Sequence, residues 1–318
     1  MSDQLKLFFA TDIHGSERCF RKFINAAAFY KVDVVIMGGD ITGKMLVPIV
    51  AEGGGRYLAE VFGQTRRFAD DELPGVRKLI GDAGYYPYET TPDELAELQA
   101  DGSKVEAAFR RVMGETLGRW LDIAAERLAG SPTVCVMSPG NDDQPFIDDL
   151  LRDAERVINP EGRVVELPGG FDLVSVGYSN ITPWHSPREL PEPALEARIA
   201  ALASQATRPD RTIFNLHVPP RDSSLDEAVL LNEDLSPVMQ SGSPRMGGVG
   251  SVAVRNSILT FQPLVALHGH IHESRGVVRI GRTQAYNPGS EYSEGVLRGL
   301  ILNVEAGKGV RSHQFVSG

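Results

Sequence analysis

The sequence predicts an α/β fold whose polar residues gather where strands end. Three observations lead there. The first is a β-α-β succession at the start of the chain: an apolar run over 5–9, helical spacing over 16–30, then an apolar run over 32–37. The second is that both runs empty into polar residues, Asp12-Ile13-His14 after one and Gly38-Gly39-Asp40 after the other. Open α/β sheets place ligands at such strand ends. The third is the apolar run 263–267 followed by His268-Gly269-His270-Ile271-His272, which holds three of the chain's seven histidines. Crowded imidazoles make poor core residues, because each needs polar partners, but their neutral ring nitrogens make good metal ligands. An extended backbone would set His268, His270 and His272 on one side, with Gly269 allowing a turn. A solvated His-rich loop is the plain alternative.

Length and composition, 318 residues with 42% apolar and 23% charged, describe a globular chain of one large domain or two modest ones. A net charge of −10 argues against a duplex nucleic-acid binder, which would carry a basic face. It is compatible with a small anionic substrate where bound cations reverse the local field. Cys19 and Cys135 are isolated in apolar surroundings, which fits a reduced cytoplasmic setting better than a disulfide framework. The opening Met1-Ser2-Asp3-Gln4 runs straight into a strand, so no signal peptide is expected, and no apolar run is long enough for a membrane span.

The elements follow in order. Runs 45–51 and 56–62 flank Gly53-Gly54-Gly55 and predict a hairpin. A helix is expected over 73–84, and Thr91-Pro92-Asp93-Glu94 is an N-cap, a first-turn proline and a capping box. A longer helix over 103–129 presents Phe109, Leu117, Trp120 and Ala124 on one face and is stopped by Gly130 and Pro132. The interval 43–130 exceeds any ordinary loop between core strands and predicts an insertion that roofs or flanks a site, or simply packs. The run 132–137 delivers Gly140-Asn141-Asp142-Asp143. Strands over 163–166 and 171–178 lead to Trp184, which reads as a packing residue rather than a stacking surface for a base or sugar. After a helix over 192–206, the strand 212–216 ends at His217. The polar stretch 221–250 closes in Gly/Ser-rich sequence ahead of a helix over 251–261. It is either a linker or a loop that wraps phosphate oxygens with backbone N–H groups. Runs 277–280, 284–286, 300–304 and 312–316 predict strands of a second sheet, with Asn287-Pro288-Gly289-Ser290 as a turn.

Collected in order, the polar residues at strand ends are Asp12, His14, Asp40, Asn141, His217, His270 and His272. Each is weak alone. The ordered set resembles the calcineurin-like metallophosphoesterase superfamily, whose pattern is Asp-x-His, Gly-Asp, Gly-Asn-His or a variant, a lone His, then Gly-His-x-His. Asn287-Pro288-Gly289-Ser290 also looks like many bacterial and archaeal members. The resemblance extends over 12–272 and is silent on 43–130 and 221–250. It implies a four-layer αββα sandwich of two mixed sheets flanked by helices, a single domain over 1–318. It further implies that Asp12, His14 and His272 hold one divalent cation, that Asn141, His217 and His270 hold a second, and that Asp40 bridges them. His268, just before the matched Gly-His, would lie behind the ligands near the substrate.

Two such ions bring four positive charges against two from Asp12 and Asp40, leaving charge to lower the pKa of a bridging water and neutralise phosphate oxygens. Asn141 offers a carbonyl oxygen without spending that charge. Mixed His and Asp donors suit manganese, iron or zinc better than calcium.

One position departs from the pattern: Asp142 stands where the superfamily commonly has a His near the leaving group. With an unperturbed pKa of about 3.9 it would be ionised at neutral pH, unable to donate a proton, and repulsive to a phosphate dianion. The expected function is therefore a dimetal phosphodiesterase acting on a small or nucleotide-like phosphoester. The alternatives are a phosphomonoesterase, whether protein or nucleotide phosphatase, and a metal-binding scaffold that recognises a partner through 43–130. A nuclease is disfavoured by the acidic balance.

Overall fold

Alternation along the first strand, Gln4–Ala10, sets the layers of the computed structural model, which describes residues 3–318. The first two residues of the opening lead lie outside them. Leu5, Leu7 and Phe9 point one way and pack, with Val34, Ile36 and Val136, against Phe171, Leu173, Ile213, Val265 and Leu267 of a second sheet. Phe8 and Ala10 point the other way, onto Phe20, Phe23 and Ile24 of the helix Glu17–Tyr30. This is the two-residue period of a strand buried on both faces. On the far side of the second sheet, Val174, Phe214 and Ala266 meet Leu195 and Ile199 of the helix Glu192–Ala203 and Val254 and Ile258 of Val252–Phe261. The result is helices, sheet, sheet, helices: the four-layer αββα sandwich.

The first sheet runs, in space, Gly309–Ser317, Arg298–Glu305, Gln4–Ala10, Val34–Met37, Val134–Met137, Val157–Ile158. The last four are parallel. The second runs Gly276–Ile280, Thr283–Asn287, Val265–Leu267, Thr212–Leu216, Phe171–Val176, Val164–Leu167, with antiparallel strands at both edges. One expectation is corrected here. The final two strands belong to the first sheet, with Leu302 opposite Leu7 in an antiparallel pair. Their apolar pattern announces strands but not partners. Leu300, Leu302 and Val304 fill the same inter-sheet core as Leu5, Leu7 and Phe9.

The insertion is more than a hairpin with helices. It holds a four-stranded sheet ordered Gln64–Ala69, Arg56–Val61, Leu46–Gly53, Tyr86–Thr90. Gln64–Ala69 is a polar edge strand in which only Phe68 is buried, so it carries no readable period. The long helix Gly102–Arg127 reaches back into the sandwich, where Trp120 stacks on Phe20 with ring centroids 4.4 Å apart and planes at 6°. The segment 221–250 is not a loose linker either. Glu227–Val229 pairs with Met246–Gly248, and the buried Asp226 carboxylate accepts from the N–H groups of Asp222, Ser223 and Gly250 at 2.9, 2.9 and 3.0 Å, pinning both ends. Among the described residues no helix is long and apolar enough to cross a membrane.

Trp120 is 1% exposed. Trp120→Ala is expected to cost about 3–5 kcal/mol in denaturant unfolding. A loss below about 1 kcal/mol would mean that the inserted helix is not part of the core.

Candidate metal centre

Five strands of the sandwich deliver the seven side chains singled out in the sequence. Gln4–Ala10 leads to Asp12 and His14, Val34–Met37 to Asp40, and Val134–Met137 to Asn141, all from the first sheet. Thr212–Leu216 leads to His217, and Val265–Leu267 to His270 and His272, from the second. The site therefore straddles the two sheets. Ligand atoms of Asp12, His14 and His272 lie within 4.8 Å of one another, as do those of Asp40, His217 and His270. Asn141 Oδ1 joins the second group, 3.0 Å from His217 Nε2 and 2.8 Å from His270 Nδ1. Asp40 Oδ2 stands between the groups, 3.6 Å from His14 Nε2 and 3.4 Å from His217 Nε2.

The backbone is forced to bring them together. Asp12, His14, Asp40 and His270 have φ of 55°, 39°, 51° and 65°, a left-handed region that side chains other than glycine rarely occupy. At His270 this corrects the expected turn at Gly269. Gly269 serves by smallness instead, since a Cβ there would sit 2.2 Å from both Asp12 Oδ2 and Thr11 Oγ1. Gly140 does the same for Asp40, whose N and Oδ1 lie 2.2 Å from where its Cβ would be.

His268 does not join the other two histidines of its run. Extended alternation stops at Leu267, and the His268 ring is buried with Nδ1 2.7 Å from the Leu216 carbonyl and 3.2 Å from that of Val218. Burial drives its pKa down to about 4, so the ring is neutral at pH 7. Its Nδ1 faces the backbone carbonyls on either side of His217.

The donor set fits divalent cations. His14 Nε2 and His272 Nε2 face each other at 3.2 Å, a pair that shares at most one proton. Burial raises Asp40 to about 6, against the pull of His217. Burial also opposes ionisation of Asp12, but His217, His272 and His14 hold that carboxyl well below the usual range. At His217 burial disfavours the imidazolium, yet Asp40 and Asp12 raise it to about 9. Burial drives His270 down to about 3. Such a mixture of packed carboxylates and crowded imidazoles is the environment in which cations replace protons.

Several supporting residues escaped sequence reasoning. The Asn287 amide donates to the Ile271 carbonyl at 2.8 Å, and Ser290 Oγ donates to the Asp12 carbonyl at 2.6 Å, so the turn read at 287–290 clamps together the loops that carry Asp12 and His270. The buried Asp143 carboxylate accepts from the N–H groups of Gly140, Ile41 and Thr42 at 2.8, 3.0 and 2.8 Å, tying the Asp40 loop to the Asn141 loop. Lys44 Nζ pairs with Asp142 Oδ2 at 2.5 Å, and the Tyr292 ring packs 4.7 Å from that of His14. A signal for Asp143 was present, as a second acid directly after Asp142. Lys44 and Tyr292 carry none. Over the centre opens a cleft of about 810 Å³, bounded by Lys44, the segment 180–187 and the ribbon at 228–231.

Fold and site define a class: an αββα sandwich with a paired Asp/His centre at its strand ends. No protein-family model matches the chain. The uncharacterized protein MJ1162 of Methanocaldococcus jannaschii is 29% identical over 158 residues, which is 49% of this chain and 62% of that protein, so the match spans about three-fifths of the relative. TT1561 of Thermus thermophilus superposes over 99% of this chain and 98% of its own with a TM-score of 0.53 at 14% identity. A second solved structure aligns over 98% of each chain with a TM-score of 0.52 at 15% identity. At those identities the likeness is one of fold. The motifs ordered at its strand ends resemble those of the calcineurin-like metallophosphoesterase superfamily.

Two outcomes follow for the centre. Gly269→Ala is expected to weaken manganese uptake by roughly 10–100-fold in equilibrium dialysis while the far-ultraviolet circular dichroism stays native. His217 is protonated below about 9 in the cation-free protein and must be neutral to coordinate. Manganese uptake at pH 7 is therefore expected to release protons, measured by calorimetry in buffers of differing ionisation enthalpy, with affinity rising as pH approaches 9. A flat profile would count against His217 as a ligand.

Proposed function

We propose that the protein is a dimetal phosphoesterase with a preference for diesters, acting on a small or nucleotide-like substrate. The observation that carries this reading is the Asp40 carboxylate standing between two Asp/His groups at the floor of a cleft. Asp12, His14 and His272 would hold one cation and Asn141, His217 and His270 the other, with Asp40 shared; manganese, iron or zinc suits these donors. Bound there, two cations would supply a nucleophile from water at neutral pH and neutralise phosphate oxygens. The ring of His217 donates from Nδ1 to the Gly38 carbonyl at 3.3 Å, which leaves Nε2 free to face the centre. The backbone N–H of Asp142 donates to Asp40 Oδ1 at 2.9 Å and fixes that carboxylate's rotation.

Asp142 itself carries no proton to give. Burial opposes its ionisation, but the Lys44 ammonium, with help from His14 and Ser186, holds it at about 2. Lys44 also offsets the charge that a lone Asp142 would turn on a dianion. The diester preference therefore rests on the missing proton donor, not on repulsion. A monoester reacts through a loose transition state that loads charge onto the leaving oxygen. A diester demands less there and suffers less from the absence of an acid. The two buried free thiols, Cys19 and Cys135, support a cytoplasmic setting.

Matched aryl mono- and diesters assayed with added manganese test this. A diester kcat/KM at least about tenfold higher is expected, and a strong monoester preference would overturn it. Asp40→Asn is expected to cost on the order of a thousandfold in turnover, and unchanged turnover would refute the assignment of Asp40.

A further inference from the structure

We infer that the part of the cleft beyond the cation centre is a subsite for a flat apolar group of the phosphoester, an aryl ring or a nucleobase, with Trp184 as its wall. The inference rests on the phosphoesterase reading and names the substrate class it would take. Trp184 lines the cleft and is 60% exposed, and its neighbour Ile181, also lining the cleft, is 53% exposed. This overturns the sequence reading of Trp184 as a packing residue; the packing tryptophan of this chain is Trp120. No aromatic ring or cation stacks on Trp184 among the described residues. Large apolar side chains left uncovered beside a polar centre mark ligand grooves.

The loop that carries Trp184 is tied down by hydrogen bonds, which separates it from a loose surface segment. The backbone N–H of Trp184 donates to Thr182 Oγ1 at 3.3 Å. Glu189 accepts from the N–H groups of Thr182 and Ser186, both at 3.0 Å, closing the loop on itself. Ser186 Oγ donates to Asp142 Oδ1 at 2.6 Å, so the loop is fastened to the position where the superfamily pattern would put a leaving-group acid. Behind it Arg188, 1% exposed, donates from Nε to the Asp143 carbonyl at 2.8 Å and forks onto Asp148 at 3.0 and 3.1 Å. Phe109, Met113, Val229 and Leu231 add further apolar lining to the same cleft.

A ligand that meets all of this is charged at one end and flat and apolar at the other. Its phosphate would reach the cation centre and Lys44 while its ring lies on Trp184. An indole face accepts any aromatic ring, so this subsite selects for a π-face and not for one base.

The test compares binding of a nucleoside phosphonate and the matching ribosyl phosphonate to the manganese-loaded protein by calorimetry. The nucleoside compound should bind about tenfold more tightly and quench the emission of the exposed Trp184. Trp184→Ala should bring it down to the ribosyl level, while Trp184→Phe should keep most of the difference. In kinetics, Trp184→Ala should raise KM for an aryl diester by about tenfold, and more than for a methyl diester. Trp184 is exposed, so thermal unfolding of both variants should match the parent. Equal affinity for the two phosphonates, with turnover of simple esters intact, would overturn the subsite and leave the phosphoesterase reading standing. Base-dependent binding and quenching without turnover of any phosphoester would support the subsite and overturn that reading.

Discussion

Two buried carboxylates, Asp12 and Asp40, govern the rest of this molecule. Burying a charge without compensation costs many kcal/mol, and a protein tolerates it only where partners surround the group. Here the partners come from both sheets. Thr11 Oγ1 donates to Asp12 at 2.7 Å, the N–H of His270 donates to the same carboxylate, and the N–H of Asp142 donates to Asp40. Those bonds leave the remaining lone pairs aimed at imidazole nitrogens: His14 from the strand of Asp12 itself, and His217, His270 and His272 from two strands of the second sheet. The left-handed backbone at Asp12, His14, Asp40 and His270 and the absence of a Cβ at Gly140 and Gly269 are consequences of crowding so many donors around two anions.

That crowding also explains how the peripheral parts attach. The Asp40 loop is held by Asp143, and the Asp142 side is held by Ser186 and by Lys44, which sits where the insertion begins. Gly43 N–H donates to the Tyr86 hydroxyl at 2.7 Å, so the inserted sheet buttresses the loop that carries Asp40 and Lys44. The insertion shapes the cleft through Phe109 and Met113 and completes the core through Trp120. The ribbon pinned by Asp226 lines the same cleft. Polar centre and apolar cleft are thus built by different parts of the chain onto one frame.

Much of the frame was legible in the residues. Period-two alternation in 5–9 and helical spacing in 16–30 both report on one-sided burial, which is a local property. Gly-Asp, Gly-Asn and Gly-His are legible for a related reason: a ligand pressed against backbone leaves no room for a Cβ, so the glycine travels with it in sequence. Polar edges such as Gln64–Ala69 leave no such mark, because a strand that pairs on one side and faces water on the other has no need of apolar alternation. Lys44, Tyr292 and Trp184 were opaque because nothing beside them in the chain reveals what stands across the cleft.

The sequence by itself determined the classes of element, the order of the motifs and the chemistry of seven side chains, because those depend on neighbours a few residues apart. Tertiary structure alone decided that 298–317 returns to the first sheet, that His268 turns inward while His270 and His272 share the centre, that Lys44 neutralises Asp142, and that Trp184 stands open in the cleft. Each of those is a meeting of groups far apart in the chain, and its energy is set by which surfaces face each other once the two sheets have closed.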